Sequence, residues 1–129
     1  MAQNKKILII GIDPFLIDFT TSEYAAFSGL TSERAAAGVK ANVQQLIELG
    51  YDAELCWTDF GDTAMQVLKA HLQKKSFDGI LIGAGIRIPD INFVLFENMI
   101  NACHEFAAHA RIFFNTHPHD TVIAVKRWL

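Results

Sequence analysis

The sequence predicts an α/β sandwich: a four-stranded parallel sheet in the order 2-1-3-4, with helices on both faces. Three observations point there. Four short apolar segments alternate with segments of helical period, the pattern that strands joined by crossover helices produce. Two of them, "KILIIGI" and "DGILIGA", are almost continuously apolar, as strands covered on both faces must be. Right-handed crossovers, with one reversal after the first pair, give the order.

The first strand is expected over Lys6–Ile12. The first helix follows from Ser32 to Leu49, with Thr31 as N-cap, Gly50 as stop, and Ala35, Val39, Val43, Leu46 and Ile47 on one stripe. Asp52–Thr58 alternates apolar residues with Glu54 and Thr58, which suits an edge strand. A helix from Thr63 to Lys75 turns Met65, Leu68 and Leu72 inward, and the third strand runs from Asp78 to Ala84. The third helix, Ile91 to His109 behind Asp90, buries Phe93, Phe96, Ile100, Cys103 and Ala107. "RIFFNT", Arg111 to Thr116, is the other edge strand, and a short last helix capped by Asp120 carries Val122, Val125 and Trp128. This is a shortened flavodoxin-like or Rossmann-like arrangement in one domain spanning 1–129.

One connection is out of scale. Between the first strand and first helix lies "DPFLIDFTTSEYAAFSGL", where such loops have about 2–6 residues. Its Phe15, Leu16, Ile17, Phe19, Tyr24, Phe27 and Leu30 point to a lid, a homodimer contact through Pro14–Leu30, or a packed cover over the sheet. The C-terminal helix is the other candidate for a homodimer contact.

Composition narrows the function classes. Apolar residues make up 51% and charged residues 19%, which describes a globular chain. No apolar run approaches the ~20 residues of a membrane span. The run behind "MAQNKK" stops at Gly11 and Asp13, reading as a strand rather than a signal peptide, so a cytoplasmic setting is expected. Net charge is −3 and basic residues are scattered, so there is no electrostatic footprint for nucleic acid. Cys56 and Cys103 lack paired spacing and are expected as free thiols.

"FDGILIGAGIRIP", Phe77 to Pro89, opens like a dinucleotide fingerprint, but that fingerprint needs a third glycine and a helix starting at once. Ile88 occupies the third position, Arg87-Ile88-Pro89-Asp90 intervene before the expected helix, and the turn follows the third strand instead of the first. A receiver domain's acidic pair and acceptor aspartate are missing, as are a flavodoxin's phosphate loop and a P-loop. No cofactor is expected.

In an open parallel sheet, ligands bind beyond the carboxyl ends of the strands, where strand order reverses. That places Asp13 on one wall of a crevice, Gly83, Gly85 and Arg87 on the other, and Asn115, Thr116 and His117 beside them. Glycines let amides approach a ligand, and Arg87 suits the oxygens of a small anion or carboxylate. His117 or Asp13 is then the candidate acid or base. The competing account pairs Arg87 with Asp13 and leaves the glycines to a tight turn. "NTHPHDT" suggests an H-x-H metal pair, His117 and His119, which would need further ligands such as Asp13 or Asp59.

The runs "DGILIGAGIR", "LFENMIN" and "FNTHPHDTVIAVKRWL", together with "GIDPFLIDF", resemble a family of small bacterial and fungal α/β proteins with no assigned activity. The resemblance covers most of the chain. It implies Asp13, Gly83, Gly85, Arg87, Asn115, Pro118 and Asp120 as a common constellation, with the first of the two histidine positions variable, and implies no activity or cofactor. Three functions are therefore in play: a protein that binds or turns over a small anionic ligand, a non-catalytic receiver-like interaction module, and a metal-dependent hydrolase.

Overall fold

The computed structural model describes residues 4–129. Strands β1 (Lys6–Ile12), β2 (Asp52–Thr58), β3 (Gly79–Ile82) and β4 (Arg111–Phe114) form one sheet, paired throughout in parallel in the order β2-β1-β3-β4. Around it lie α1 (Ser32–Glu48), α2 (Ala64–Lys74), the single turn α3 (Ala84–Arg87), α4 (Phe93–Phe106) and α5 (Thr121–Trp128). The predicted sandwich and strand order are those observed.

The alternation of strand side chains divides the core into two layers. Leu8, Ile10 and Ile12 of β1 join Cys56, Ile80 and Ile82 against α2 and α4, through Leu68, Leu72, Leu95 and Met99. Ile7, Ile9, Leu81 and Phe113 face the other way, against Leu46 of α1 and Ala124 and Val125 of α5. Each fully buried aliphatic side chain contributes about 1.5–3 kcal/mol. β1 therefore anchors both layers. Close approach between layers needs a missing side chain at Gly79: a Cβ there would lie 2.8 Å from Leu129 and 2.9 Å from Phe113.

Helix ends follow local chemistry in part. Thr31 Oγ1 accepts the Arg34 N–H at 3.1 Å and starts α1, and Gly50 leaves it with φ +100°. Helix α2 is started from further back: the Asp59 carboxylate accepts the N–H groups of Gly61, Thr63 and Ala64 and the Thr63 hydroxyl. Those bonds, led by the one from Gly61, hold Asp59 below the ordinary carboxylate pKa.

Several expectations are corrected. Strand β3 stops at Ile82 instead of Ala84, because the Gly83 carbonyl accepts the Ile86 N–H at 3.0 Å and the Arg87 N–H at 3.2 Å and so opens α3. A helical turn thus starts inside the glycine signature, where a plain loop was expected. Strand β4 ends at Phe114; at Asn115 the backbone oxygen accepts Arg87 Nη2 instead of a strand partner, and the side chain accepts the Ala84 N–H. Helix α4 begins at Phe93 after a 3-10 turn at Asp90–Asn92, with Phe96, Ile100, Cys103 and Ala107 packed against the core as expected. Leu95, Met99, Ala102 and Cys103 are buried, whereas Phe93 is 63% exposed. Ile47 and Trp128, expected inward, are also largely exposed. Asp120 does not cap α5 with its side chain; its carboxylate turns back to the Thr116 and His117 N–H groups and the Thr116 hydroxyl.

The long connection packs down as a cover. It contains 3-10 turns at Pro14–Leu16 and Ser22–Phe27. Tyr24 and Phe27 are buried against Ala84, with Ile17, Phe19, Leu30 and Ile88 around them. Phe19 meets Tyr24 edge to face at 5.8 Å.

Candidate functional site

Beyond the carboxyl ends of β1 and β3, where the strand order reverses, lies a cavity of about 80 Å³. Its floor is Ile9–Ile12 of β1 and Leu81 of β3. One wall is Gly83, Ala84 and Gly85, another is Ala35 and Val39 of α1, and Trp57 closes the side toward β2. The cover supplies Ile17, Phe19, Phe27 and Leu30. Asn115 and Thr121 are the polar side chains that border it, and no charged side chain does so among the described residues.

Space favours glycine at position 83 but not at position 85. A Cβ on Gly83 would sit 3.2 Å from Ile10 O, whereas one on Gly85 would meet nothing within 4 Å. Gly85 O instead accepts hydrogen bonds from Tyr24 Oη at 3.4 Å and Asn92 Nδ2 at 3.2 Å, and Asn92 also donates to Tyr24 Oη at 3.2 Å. This buried group ties the cover to the glycine turn. Burial pushes the Tyr24 phenol above its ordinary pKa, against the bond from Asn92.

Asn115 is the centre of a second network. Its Oδ1 accepts the Ala84 N–H at 2.8 Å, and its Nδ2 donates to Thr121 Oγ1 at 3.1 Å. Asn42 of α1 donates to the same Oγ1 at 3.4 Å and to Pro118 O. The chain joins α1, α3, β4 and α5 around the cavity.

The predicted constellation is only partly assembled there. Gly83, Gly85 and Asn115 border the cavity; Asp13, Arg87, Thr116 and His117 do not. Asp13 accepts the Phe15 N–H at 3.0 Å and starts the Pro14–Leu16 turn. Arg87 donates from Nη2 to Asn115 O at 3.0 Å and lies 5.8 Å from the Phe114 ring centroid. Its Nε is buried without a partner among the described residues. Arg87 and Asp13 do not form an ion pair; the ion pairs among the described residues join Glu54 and Asp52 with His71 and Lys75.

Thr116 is held by Asp120. Burial raises the Asp120 pKa, but the bonds from Thr116 and His117 outweigh it and bring it below the ordinary value. His117 is exposed, and its Nδ1 accepts the His119 N–H at 3.1 Å, with the two rings 4.6 Å apart. In neutral His117 that bond puts the proton on Nε2, which opposes metal ligation there. Among the described residues no group of three or more His, Cys, Asp or Glu side chains is placed to hold a metal ion.

Sequence reading missed Asn42, Thr121, Tyr24 and Asn92. Asn42 had a signal: it lies on the stripe of Ala35, Val39 and Leu46, where a polar residue implies a buried hydrogen bond. Thr121 stands four residues before Val125 for the same reason.

Fold and site together define a parallel α/β sandwich with a small covered cavity at its strand-order reversal. No protein-family model and no curated protein matches the chain.

Proposed function

We propose that the protein binds a small molecule in the covered cavity at the carboxyl edge of its sheet. The observation that carries this is the position of an apolar cavity at the strand-order reversal, where sheets of this kind hold ligands. The strand-end residues alone suggested an anion. The cavity walls favour an uncharged ligand with an apolar body, because Arg87 is engaged with Asn115 O and no cation borders the space among the described residues. Among the described residues no nucleophile and base meet at the cavity, which favours binding over turnover. The resemblance to the family of small α/β proteins, the kinship with flavodoxin-like folds and a cytoplasmic setting belong to the same proposal. Two buried, unpaired cysteines support that setting.

The test is amide and indole NMR under xenon pressure. Xenon is expected to shift the signals of Gly83, Gly85 and Trp57, and Ala35→Leu, which fills the wall, is expected to abolish the shifts. No shift in the parent protein, or equal shifts in the filled variant, would overturn the proposal.

A second reading, an interaction module, is favoured by exposed apolar side chains in both segments expected to self-associate. Phe15 and Leu16 project from the cover, and Ile123 and Trp128 from α5. Light scattering over a concentration series decides it: a mass that stays at 14.4 kDa argues against a homodimer.

A further inference from the structure

The cavity is apolar except at one corner, and the hydrogen bonding of that corner is incomplete. Asn115 is 5% exposed and Thr121 3%, so both polar groups are withdrawn from bulk water. The orientation of the Asn115 amide is set by its neighbour: Oδ1 must face the Ala84 N–H, which leaves the NH2 group toward Thr121. One of its two N–H bonds goes to Thr121 Oγ1, and the other has no acceptor among the described residues.

Thr121 completes the argument. Its Oγ1 already accepts N–H groups from Asn115 and from Asn42, which occupies both lone pairs. The hydroxyl proton must therefore point away from both donors, and among the described residues it has no acceptor. Two unanswered donors thus belong to buried side chains at one end of the same cavity, where leaving them unmet is costly.

We propose that Asn115 and Thr121 form the recognition point for a neutral carbonyl compound, with its oxygen between the two donors and its hydrocarbon part among Ile10, Trp57, Phe27 and Leu30. This rests on the cavity reading above and adds the ligand's class. Donors at the corner call for an acceptor oxygen. The missing cation weighs against a carboxylate, whose charge would lose its hydration without compensation. Size sets the rest: about 80 Å³ is roughly half of a ~150 Å³ cavity that takes benzene, so the ligand has about three or four heavy atoms.

Acetone and isobutene share a four-heavy-atom shape and differ at the acceptor, so they are the probes, with xenon as the occupancy control. NMR titrations give the ratio of acetone to isobutene dissociation constants for the parent protein, Thr121→Val and Thr121→Ser. Thr121→Val is expected to raise that ratio about tenfold, the worth of one such bond, while Thr121→Ser leaves it near the parental value. The ¹³C carbonyl resonance of acetone bound to the parent protein gives a reading that needs no variant. A downfield position, as for a hydrogen-bonded ketone, supports the proposal even if Thr121→Val does not fold. If xenon and isobutene bind but the carbonyl signal matches acetone in hydrocarbon, or the ratio is unchanged in a folded Thr121→Val, the carbonyl assignment fails and the cavity stands. If xenon also fails to bind, the cavity reading itself is wrong.

Discussion

Replacing Asn115 by leucine keeps much of the side-chain volume and removes the amide. Two losses follow from the geometry. The Ala84 N–H, 2.8 Å from Oδ1 in a buried position, is left without an acceptor, and Thr121 loses one of its two incoming N–H groups. An orphaned buried donor costs about 1–3 kcal/mol and the second bond about 1 kcal/mol, for a total near 2–4 kcal/mol. With a urea slope of about 1–3 kcal/mol per molar for a domain of this size, the unfolding midpoint is expected to fall by about 0.7–4 M. Asn115→Asp sharpens the test. Its carboxylate keeps an acceptor for Ala84 but buries a charge, so its folded-state pKa is raised above the unfolded value. The folded state then binds the proton more tightly, and the variant's deficit relative to the parent protein shrinks as pH falls through the folded pKa. A loss below about 0.5 kcal/mol in Asn115→Leu, within the range of ordinary surface changes, refutes the argument. So does a pH-independent deficit in Asn115→Asp.

Two further outcomes are expected. Asp59 and Asp120 both titrate below their ordinary value in the folded protein, so each contributes stability above the unfolded-state pKa that is lost as pH falls through the folded one. Urea midpoints should therefore drop on going from about pH 6 to about pH 3, and the Asp59→Asn/Asp120→Asn double variant should drop less; an equal drop contradicts the assignment. Burial pushes both the Cys56 and Cys103 thiols up to about 12, so neither should react with a thiol reagent at neutral pH until the protein unfolds. Rapid labelling of the native protein would show that one of them is reached without unfolding.

The sheet was legible because its signals are local and redundant. "KILIIGI" and "GILI" can be strands only if both faces are covered, and helical periods between strands impose the crossovers. The inward face of α4 was legible only in part. Phe96, Ile100, Cys103 and Ala107 pack inward as read, but neighbouring stripes are nearly as apolar, and tertiary packing added Leu95 and Met99 and left Phe93 outside. The location of the cavity followed from topology, but its lining did not follow from residue type. Asp13, Arg87 and His117 carry the groups a catalytic site uses, yet each is engaged away from the cavity: Asp13 and His117 two residues along the chain, at Phe15 and His119, and Arg87 across the fold at Asn115 O. The start of α3 was hidden for a related reason. The acceptor for its first N–H comes from Asn115, thirty-one residues along the chain.

The cover also bears on time. Tyr24, Phe27 and Ala84 pack as a small cluster of their own, joined to the first layer of the core through Ile17. A unit with so few buried contacts can swing away while β1 and β3 stay paired, at a free-energy cost well short of global unfolding. On the proposed binding reading, the hold of Tyr24 and Asn92 on Gly85 O would help set how fast a guest leaves. Substitutions at Phe19 or Asn92 would then act on how long a guest stays, and those at Asn115 and Thr121 on which guest is held.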